Sequence, residues 1–336
     1  MALTGLPART GFKEIVEIGT TVSYPITKPV TNPVRCSDFS IMPSQEVTVP
    51  ELIQGGVDRT AFQIEQQSVG GSIGFPIVAP VGASSSVGTP PGSGFLSVDH
   101  GMDIIFSNAI ENANDPSTLY STFEVGSSYH GIFKNCMINS FGISGDQGGA
   151  VSSTVEIWPT HIDPDSQGLP NETTYYDLPE VEVVMFYNVR INEGLDIAIG
   201  TWDLDPKLIR SFNIDVANNL ERNFTYNTAE YAHDITFGLR QVSGSFTFQL
   251  DNNAINNPIG GRFPRYADIM SRAGGDPSLD FEMGGGSGGT FIYTFTVNNP
   301  VFSTAEQPLT VGILEQTVNF VAVADVDKYA IEYTHI

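Results

Sequence analysis

Residues that could do chemistry are present in this sequence, but their spacing does not create a recognisable site. The five histidines are scattered, and none of them has the His-x-x-x-His spacing of a zinc site. They are His100, His130, His161, His233 and His335. The glycine-rich stretches lack the strand-to-helix context that a phosphate or dinucleotide site requires. We therefore predict no catalytic residue, no metal ligand, no cofactor and no enzymatic activity.

Two acidic patterns resemble sites only in part. Residues 163–168 read like the opening of a calcium loop, but Pro164 is awkward there and Thr174 stands where the bidentate Glu belongs. A turn in a linker is the better interpretation. Asp203 and Asp205 would share one face of a strand, but a carboxylate pair alone does not make a glycosidase.

Composition favours a β-rich protein with two domains and argues against a nucleic-acid reader. The chain has 336 residues, which is long for one domain, and its 21 Phe, 12 Tyr, 34 Gly and 21 Pro suit many short strands joined by turns. The formal charge is −23, from 38 acidic and 15 basic residues. A protein that reads DNA or RNA needs a basic surface, so this balance argues against one.

The cysteines and the apolar runs indicate the compartment. Cys36 and Cys136 are too few for a secreted disulfide scaffold, so we expect buried thiols in a reducing environment. We see no signal peptide, and no run approaches the roughly 18 apolar residues of a membrane span. We expect synthesis in a cytoplasm and no contact with a membrane.

The chain repeats itself. Residues 69–75 and 242–248 share the pattern Val-x-Gly-Ser followed by apolar alternation, at a separation of 242 − 69 = 173. Phe39 and Phe212 begin a second pair of matching segments at the same separation, 212 − 39 = 173. Further matches follow in the same order: 103–105 with 268–270, 137–139 with 296–298, and 154–157 with 317–320. Ordered self-similarity of this kind indicates an internal duplication.

Both halves have the same predicted order of strands, one short helix and further strands. Alternation with a period of two predicts strands at 61–65, 131–144, 151–158, 234–238, 245–250, 291–297, 317–324 and 330–334. An apolar stripe predicts a helix at 102–112, and a shorter helix is expected at 266–273. Residues 79–94 and 284–289 read as loops rich in small residues.

Three segments resemble the major tail tube proteins of long-tailed bacteriophages. Residues 210–220 are similar to the "sf-x-l-x-i-x-NNl" strand of that family, which ends here in Asn218-Asn219-Leu220. Residues 234–245 resemble the family's following "d-i-x-x-G-x-r-x-v-x-G-s" strand. Residues 131–140, together with the turn at Gly148-Gly149, look similar to the same family. The resemblance covers most of residues 35–330.

The resemblance implies a mainly β fold: two duplicated tail-tube-type β-sandwich or barrel domains, each with one short helix. The expected organisation is an N-terminal arm at 1–34, a first tube-like domain at 35–160, a linker at 161–180 and a second tube-like domain at 181–336. Inner strands would pair between neighbouring subunits and so remove exposed sheet edges. The arm and the loops at 79–94 and 284–289 would link neighbouring subunits or stacked rings.

The function implied by the resemblance is structural. Stacked rings would form the hollow tail tube that conducts double-stranded DNA during ejection, without binding it specifically. Some long-tailed phages carry two tube domains per chain and close the ring with three subunits, so we predict a trimeric, pseudo-sixfold ring. The further partners implied are the tape measure protein and the tail terminator or baseplate proteins. The expected location is the virion tail, after assembly in the host cytoplasm.

Two other interpretations remain open. A tail terminator or baseplate protein sharing the tube fold would form one ring rather than a polymer. A carbohydrate-binding β-sandwich module would need exposed aromatic platforms, for which Trp158 and Trp202 are the candidates. Both tryptophans fit a core or rim position better.

Overall fold

The computed structural model describes a large part of the chain. The described residues are 15–19, 32–35, 37–48, 63–80, 102, 105–110, 120–124, 130–134, 136–163, 181–193, 209–224, 232, 234–249, 278–284, 291–306, 315–322, 324 and 329–335.

Strands dominate these residues, which confirms the mainly β prediction. The strands are β1 Ile15–Gly19, β2 Asn32–Arg35, β3 Asp38–Phe39, β4 Met42–Thr48, β5 Gln63–Pro76, β6 Val78–Pro80, β7 Tyr120–Glu124, β8 His130–Lys134, β9 Met137–Asp146, β10 Ser152–Trp158, β11 His161–Asp163, β12 Val181–Val183, β13 Val189–Glu193, β14 Ile209–Ala217, β15 Glu221–Asn223, β16 Asp234–Thr236, β17 Gln241–Gln249, β18 Ser278–Gly284, β19 Phe291–Asn298, β20 Pro300–Glu306, β21 Glu315–Ala322 and β22 Ile331–His335. Helical residues are Met102 and 105–110, here called α1, and one 3₁₀ turn spans Phe186–Asn188.

The largest sheet runs across both halves of the chain. Its strand order is β20-β21-β17-β14-β9-β10-β5-β3, with β4 also paired to β5, and its neighbours in this order are antiparallel. A second sheet has the order β11-β8-β7-β1-β2, and a third has the order β13-β18-β19-β22. The pairs β12-β6 and β15-β16 complete the described sheets.

The two halves have the same strand order. In the largest sheet, β3-β5-β10-β9 of the first half matches β14-β17-β21-β20 of the second. In the smaller sheets, β1-β7-β8-β11 matches β13-β18-β19-β22. Equivalent strands also come in the same order along the chain, as a duplicated sequence would produce.

The register of pairing repeats as well. Phe39 lies opposite Ile73 and Phe212 opposite Phe246, and both pairs are related by the separation of 173. Val155 lies opposite Ile73, and Val318 lies opposite Phe246. Two separations read from the sequence, 173 and 318 − 155 = 163, therefore agree on one cross-strand register.

One sequence match does not survive this comparison. Residues 137–139 begin β9, whereas residues 296–298 end β19, and these strands occupy different positions in different sheets. That match is wrong. The counterpart of β9 is β20, which begins immediately after the turn at Asn299.

The glycine of the repeated Val-x-Gly-Ser motif lies against a neighbouring backbone in both halves. A Cβ atom on Gly71 would stand 2.3 Å from the Ser40 carbonyl oxygen. A Cβ atom on Gly244 would stand 2.4 Å from the Asn213 carbonyl oxygen and 2.4 Å from the Phe320 ring. Ser40 and Asn213 are themselves 173 residues apart, so the same close approach explains both glycines.

Gly244→Ala is therefore expected to lower the free energy of unfolding by about 2 kcal/mol, because backbone and a buried ring must both shift. Urea unfolding of dilute protein measures this. Gly142→Ala is the matched control in the same sheet. Its Cβ atom would stand 3.1 Å from the Asp215 carboxylate, and the nearest backbone atom, the Ile214 carbonyl oxygen, would be 3.8 Å away. Equal midpoints for the two variants would contradict the steric explanation.

The main hydrophobic core of the described residues lies on one side of the largest sheet. Burial alternates along β10, β14 and β18, so every second side chain enters this core. The Phe106 ring of α1 is fully buried, with centroid distances of 6.2 Å to Phe75, 5.4 Å to Phe141, 5.9 Å to Tyr293, 5.2 Å to Phe295 and 5.5 Å to Tyr333. The helix of the first half thus packs against β19 and β22 of the second.

Most predicted elements are confirmed where they fall on described residues. The strands at 151–158, 291–297, 317–324 and 330–334 correspond to β10, β19, β21 and β22, and helical residues fall within 102–112. The second predicted helix, 266–273, lies outside the described residues.

Two predicted strands have different limits. The run 131–144 is divided at Cys136, because β8 pairs with β7 and β11 whereas β9 pairs with β10 and β14 in another sheet. The run 234–238 ends at Thr236, because β16 forms a separate hairpin with β15.

Strands also occur in segments predicted to be an arm, a linker and a loop. β1 and part of β2 lie in the 1–34 arm, and β1 pairs with β7. β11 opens the 161–180 linker and pairs with β8. Ala79 and Pro80, at the start of the 79–94 loop, belong to β6, which pairs with β12.

Candidate functional site

The two halves are joined by direct strand pairing, here called the seam. β9 of the first half pairs with β14 of the second, from Ser211 opposite Asp146 to Ala217 opposite Ser140. The backbone N–H of Asn218 continues this ladder by donating to the Asn139 carbonyl oxygen at 2.7 Å. The strands of the two halves therefore form one continuous sheet across the seam.

Asn218 fastens the end of the seam. Its side chain is completely buried and donates from Nδ2 to the carbonyl oxygens of Ile138, at 2.8 Å, and Ala109, at 3.2 Å. Its Oδ1 accepts a hydrogen bond of 2.9 Å from Arg240 Nε. One amide therefore links β14 to β9, to α1 and to the segment before β17. Burial lowers the pKa of Arg240, which still keeps its charge because arginine does not deprotonate in proteins.

A small hydrophobic cluster, the rim cluster, covers the end of β9 and β10. It is separate from the main core and consists of Met137, Leu220 and Ile235 with the partly buried Trp158 and Phe237. Leu220, Ile235 and Phe237, which lie in or beside the β15-β16 pair, therefore pack against strands of the other half.

Arg222 and Glu156 add polar contacts to this rim. The Arg222 guanidinium lies 4.2 Å from the centroid of the Trp158 ring and donates to the Val69 carbonyl oxygen. Glu156 accepts hydrogen bonds from Trp158 Nε1 at 2.8 Å, Asn139 Nδ2 at 2.8 Å and Ser140 Oγ at 3.1 Å. Burial lowers the pKa of Arg222, and attraction to Glu156 acts in the opposite direction.

The side of the largest sheet that faces away from the core is mainly hydrophilic, with Val301 and Val321 as exposed apolar members, and we call it the polar face. Because strand side chains alternate, its members recur at every second position. They include Ser140, Ser144, Asp146, Ser152, Thr154, Glu156, Asn213, Asp215, Ser243, Ser245, Thr247, Glu315, Thr317 and Asn319. Cross-strand hydrogen bonds such as Thr247 to Thr317, at 2.9 Å, tie neighbouring strands together on this face.

Charge on these strands is predominantly negative. Within β5, β9, β10, β14, β17, β20 and β21 the only basic residue is Arg210, near the β9-β10 turn, where it donates to Gln147. The acidic residues of the same strands are Glu65, Asp146, Glu156, Asp215, Glu306 and Glu315. A surface of hydroxyls, amides and carboxylates hydrates well and repels phosphate.

The residues singled out for chemistry do not come together in the described ranges. No group of three His, Cys, Asp or Glu side chains there could hold a metal ion. His335 stacks on Tyr293, with ring centroids 5.4 Å apart, and Cys136 is buried in the core. Residues 70–74 have the Gly-x-Ser-x-Gly spacing of a nucleophile motif, but Ser72 lies within β5 and hydrogen-bonds Ser40. No helix in the described ranges has both the length and the apolar character to cross a membrane.

Several sequence candidates fall outside the described residues. They are Cys36, His100, His233, Trp202, Asp203, Asp205 and the part of the calcium-like segment after Asp163. Trp158 is described, and its place beneath Arg222 in the rim cluster fits the rim position expected from the sequence.

Comparison with known protein families identifies a match that covers most of the chain. A family model described as phage tail tube protein matches residues 11–322, which include the whole of the largest sheet and end before β22. No curated protein matches the chain.

Proposed function

The chain belongs to the phage tail tube protein family, and from this premise we propose that it polymerises as stacked rings into the hollow tail tube that conducts DNA during ejection. The observation that best supports polymerisation is the tandem arrangement of the two halves in one sheet. The same strand order occurs twice in the same direction, so a further copy could continue the series. A head-to-tail contact of this kind closes into a ring when the rotation per unit allows it.

We propose three chains per ring. The resemblance implies rings with six tube-like positions, and each chain supplies two halves related by one register. The proposed domains remain 35–160 and 181–336, with an arm at 1–34 and a linker at 161–180. Proposed partners are further copies of the chain, the tape measure protein and the terminator or baseplate proteins at the tube ends. Assembly would take place in the host cytoplasm and place the protein in the virion tail.

The polar face suits the wall of a DNA channel. Duplex DNA is held on proteins mainly by Lys and Arg contacts to its phosphates. The strands of this face carry carboxylates and a single basic residue, so a channel lined by it would repel the backbone and let DNA slide. The net charge of −23 acts in the same direction.

Cryo-electron microscopy of the concentrated, purified protein tests the proposal. We expect hollow tubes whose rings contain three chains and show six lobes end-on, with the polar face towards the channel. Six chains per ring would contradict the trimer. Single rings that never stack would favour a terminator or baseplate role, and a polar face turned outward would refute the sliding argument.

A further inference from the structure

Within the part of the chain that the structure describes, the largest sheet has an open edge at each end. In the described residues, β20 pairs only with β21, and β3 and β4 pair only with β5. An open edge presents backbone N–H and C=O groups that can pair with another chain. The repeat indicates which strand should occupy each edge, because the same two positions meet inside the chain at the seam.

β20 is the counterpart of β9. Both pair with a strand in equivalent register, since Phe141 lies opposite Val155 and Ala305 lies opposite Val318. Both pairings also shift at the same place. The first skips Asn139 between the partners of Glu156 and Ile157, and the second skips Ser303 between the partners of Asn319 and Phe320. A shared bulge at one position makes this correspondence specific.

The β3-β4 edge is the counterpart of β14. Pro43 lies opposite Val69, just as Val216 lies opposite Val242, and both relations hold at a separation of 173. At the seam, Val216 pairs with Phe141 and Ala217 pairs with Ser140. Transferring these pairs to the open edges gives a defined register between two copies.

Resting on the proposed ring assembly, we propose that β20 of one copy pairs antiparallel with the β3-β4 edge of a second copy. Ala305 faces Pro43, Thr304 faces Ser44 and Glu306 faces Met42 in this contact. The seam inside the chain and the contact between chains then have the same strand pairing and register. Three copies joined in this way close the sheet into a ring.

Two exposed valines support a second copy as the occupant. Val301 and Val321 lie opposite each other and are 38 % and 45 % exposed. Their counterparts, Met137 and Trp158, also lie opposite each other, and the other half of the chain covers them in the rim cluster. The valine pair therefore occupies a position that the neighbouring half covers at the seam, and here that half belongs to the next chain.

Pro43 fits the contact at small cost. Proline has no N–H, so at this position the joint lacks at most one hydrogen bond of the ladder. Proline on an open edge also discourages indiscriminate pairing before assembly.

A cysteine pair tests the register. Asn218 donates to Asn139 at the seam, so the adjacent pair Ala217–Ser140 is of the closer, non-hydrogen-bonded type. Thr304→Cys with Ser44→Cys reproduces that pair between copies, in the full chain carrying Cys36→Ser. After mild oxidation of assembled protein we expect covalent dimers and trimers on a non-reducing gel, with trimer as the largest species.

The matched control carries Thr304→Cys with Ser40→Cys, which moves one thiol about 13 Å along the strand. We expect no cross-link from it. Cross-linking of the control instead of the test pair would overturn the register. Tubes that form normally but cross-link with neither pair would overturn the edge pairing and leave the proposed function standing. Unmodified protein that forms neither rings nor tubes would overturn the proposed function itself.

A second variant avoids dependence on thiols. Val301→Lys with Val321→Lys should slow tube formation by about tenfold or more, because two charges would have to be buried at the contact. Its unfolding midpoint as a dilute chain should stay unchanged, since both positions are exposed there. Normal assembly of this variant would overturn the inference.

Discussion

Phe106→Ala is expected to lower the free energy of unfolding by about 4 kcal/mol, the largest effect of any single substitution proposed for this chain. The ring is fully buried and contacts aromatic side chains from β5, β9, β19 and β22. Truncation removes the transfer free energy of the ring and leaves a cavity whose rigid aromatic walls cannot collapse. Because the walls come from both halves, the loss should affect the whole chain.

Chemical denaturation of dilute protein, followed by tryptophan fluorescence and by circular dichroism, measures this effect. Tyr187→Ala is the control, since Tyr187 is 72 % exposed and its loss should change stability by no more than about 0.5 kcal/mol. A cost below about 1.5 kcal/mol for Phe106→Ala would show that α1 is not the centre of the core. Separate transitions for the two halves would show that the core does not unite them.

Local patterns predicted much of the fold. Alternation along 291–297 predicted β19 closely, because side chains of successive strand residues point to opposite faces and only one face is buried. The separation of 173 was accurate because Gly71 and Gly244 are held by the same close contact to a neighbouring carbonyl. A steric requirement of this kind can be recognised in the sequence, because glycine recurs at the position where it applies.

Contacts between segments that are distant in the sequence could not be predicted in this way. Asn218 was conspicuous as part of a motif, but the two carbonyl groups to which its side chain donates, those of Ile138 and Ala109, are 80 and 109 residues away. The packing of Arg222 on Trp158 likewise joins segments whose order in the sheet no periodicity reveals. The run 131–144 is divided at Cys136 because its two parts, β8 and β9, join different sheets. Their partner strands lie elsewhere in the chain, so the local pattern does not reveal the division.

The seam explains how the halves remain in one register. Burial of one face of β9 and β14 excludes a slip by one residue, which would turn the buried side chains outward, but a slip by two residues would keep the alternation. Buried polar groups do not tolerate it, since each must keep its hydrogen-bond partner. Asn218 is completely buried, and its side-chain amide forms hydrogen bonds with residues of both halves. A shift of β14 along β9 would therefore leave several buried polar atoms without hydrogen-bond partners at once.

Asn218→Leu is therefore expected to lower the free energy of unfolding by about 3 kcal/mol. Leucine has the same number of side-chain heavy atoms, branched at the same carbon, so it leaves no cavity and the loss comes mainly from unsatisfied polar groups. The carbonyl oxygens of Ile138 and Ala109 lose the Nδ2 donor, and Arg240 Nε loses its acceptor, although Arg240 Nη2 still donates to the Ala109 carbonyl oxygen. Urea unfolding of dilute protein gives the size of the effect.

Asn213→Ala separates this explanation from a general loss of an asparagine. Asn213 is on the polar face, where it donates to Asp215 at 2.7 Å and accepts from Ser245, and water can replace both partners. Its substitution should cost about 0.5 kcal/mol. Equal costs for the two asparagines would contradict a special role for Asn218. The joint proposed between copies repeats the seam without Asn218, because residue 45, its counterpart at a separation of 173, is Gln. Asn218→Leu should therefore destabilise the single chain more than it weakens the contact between chains.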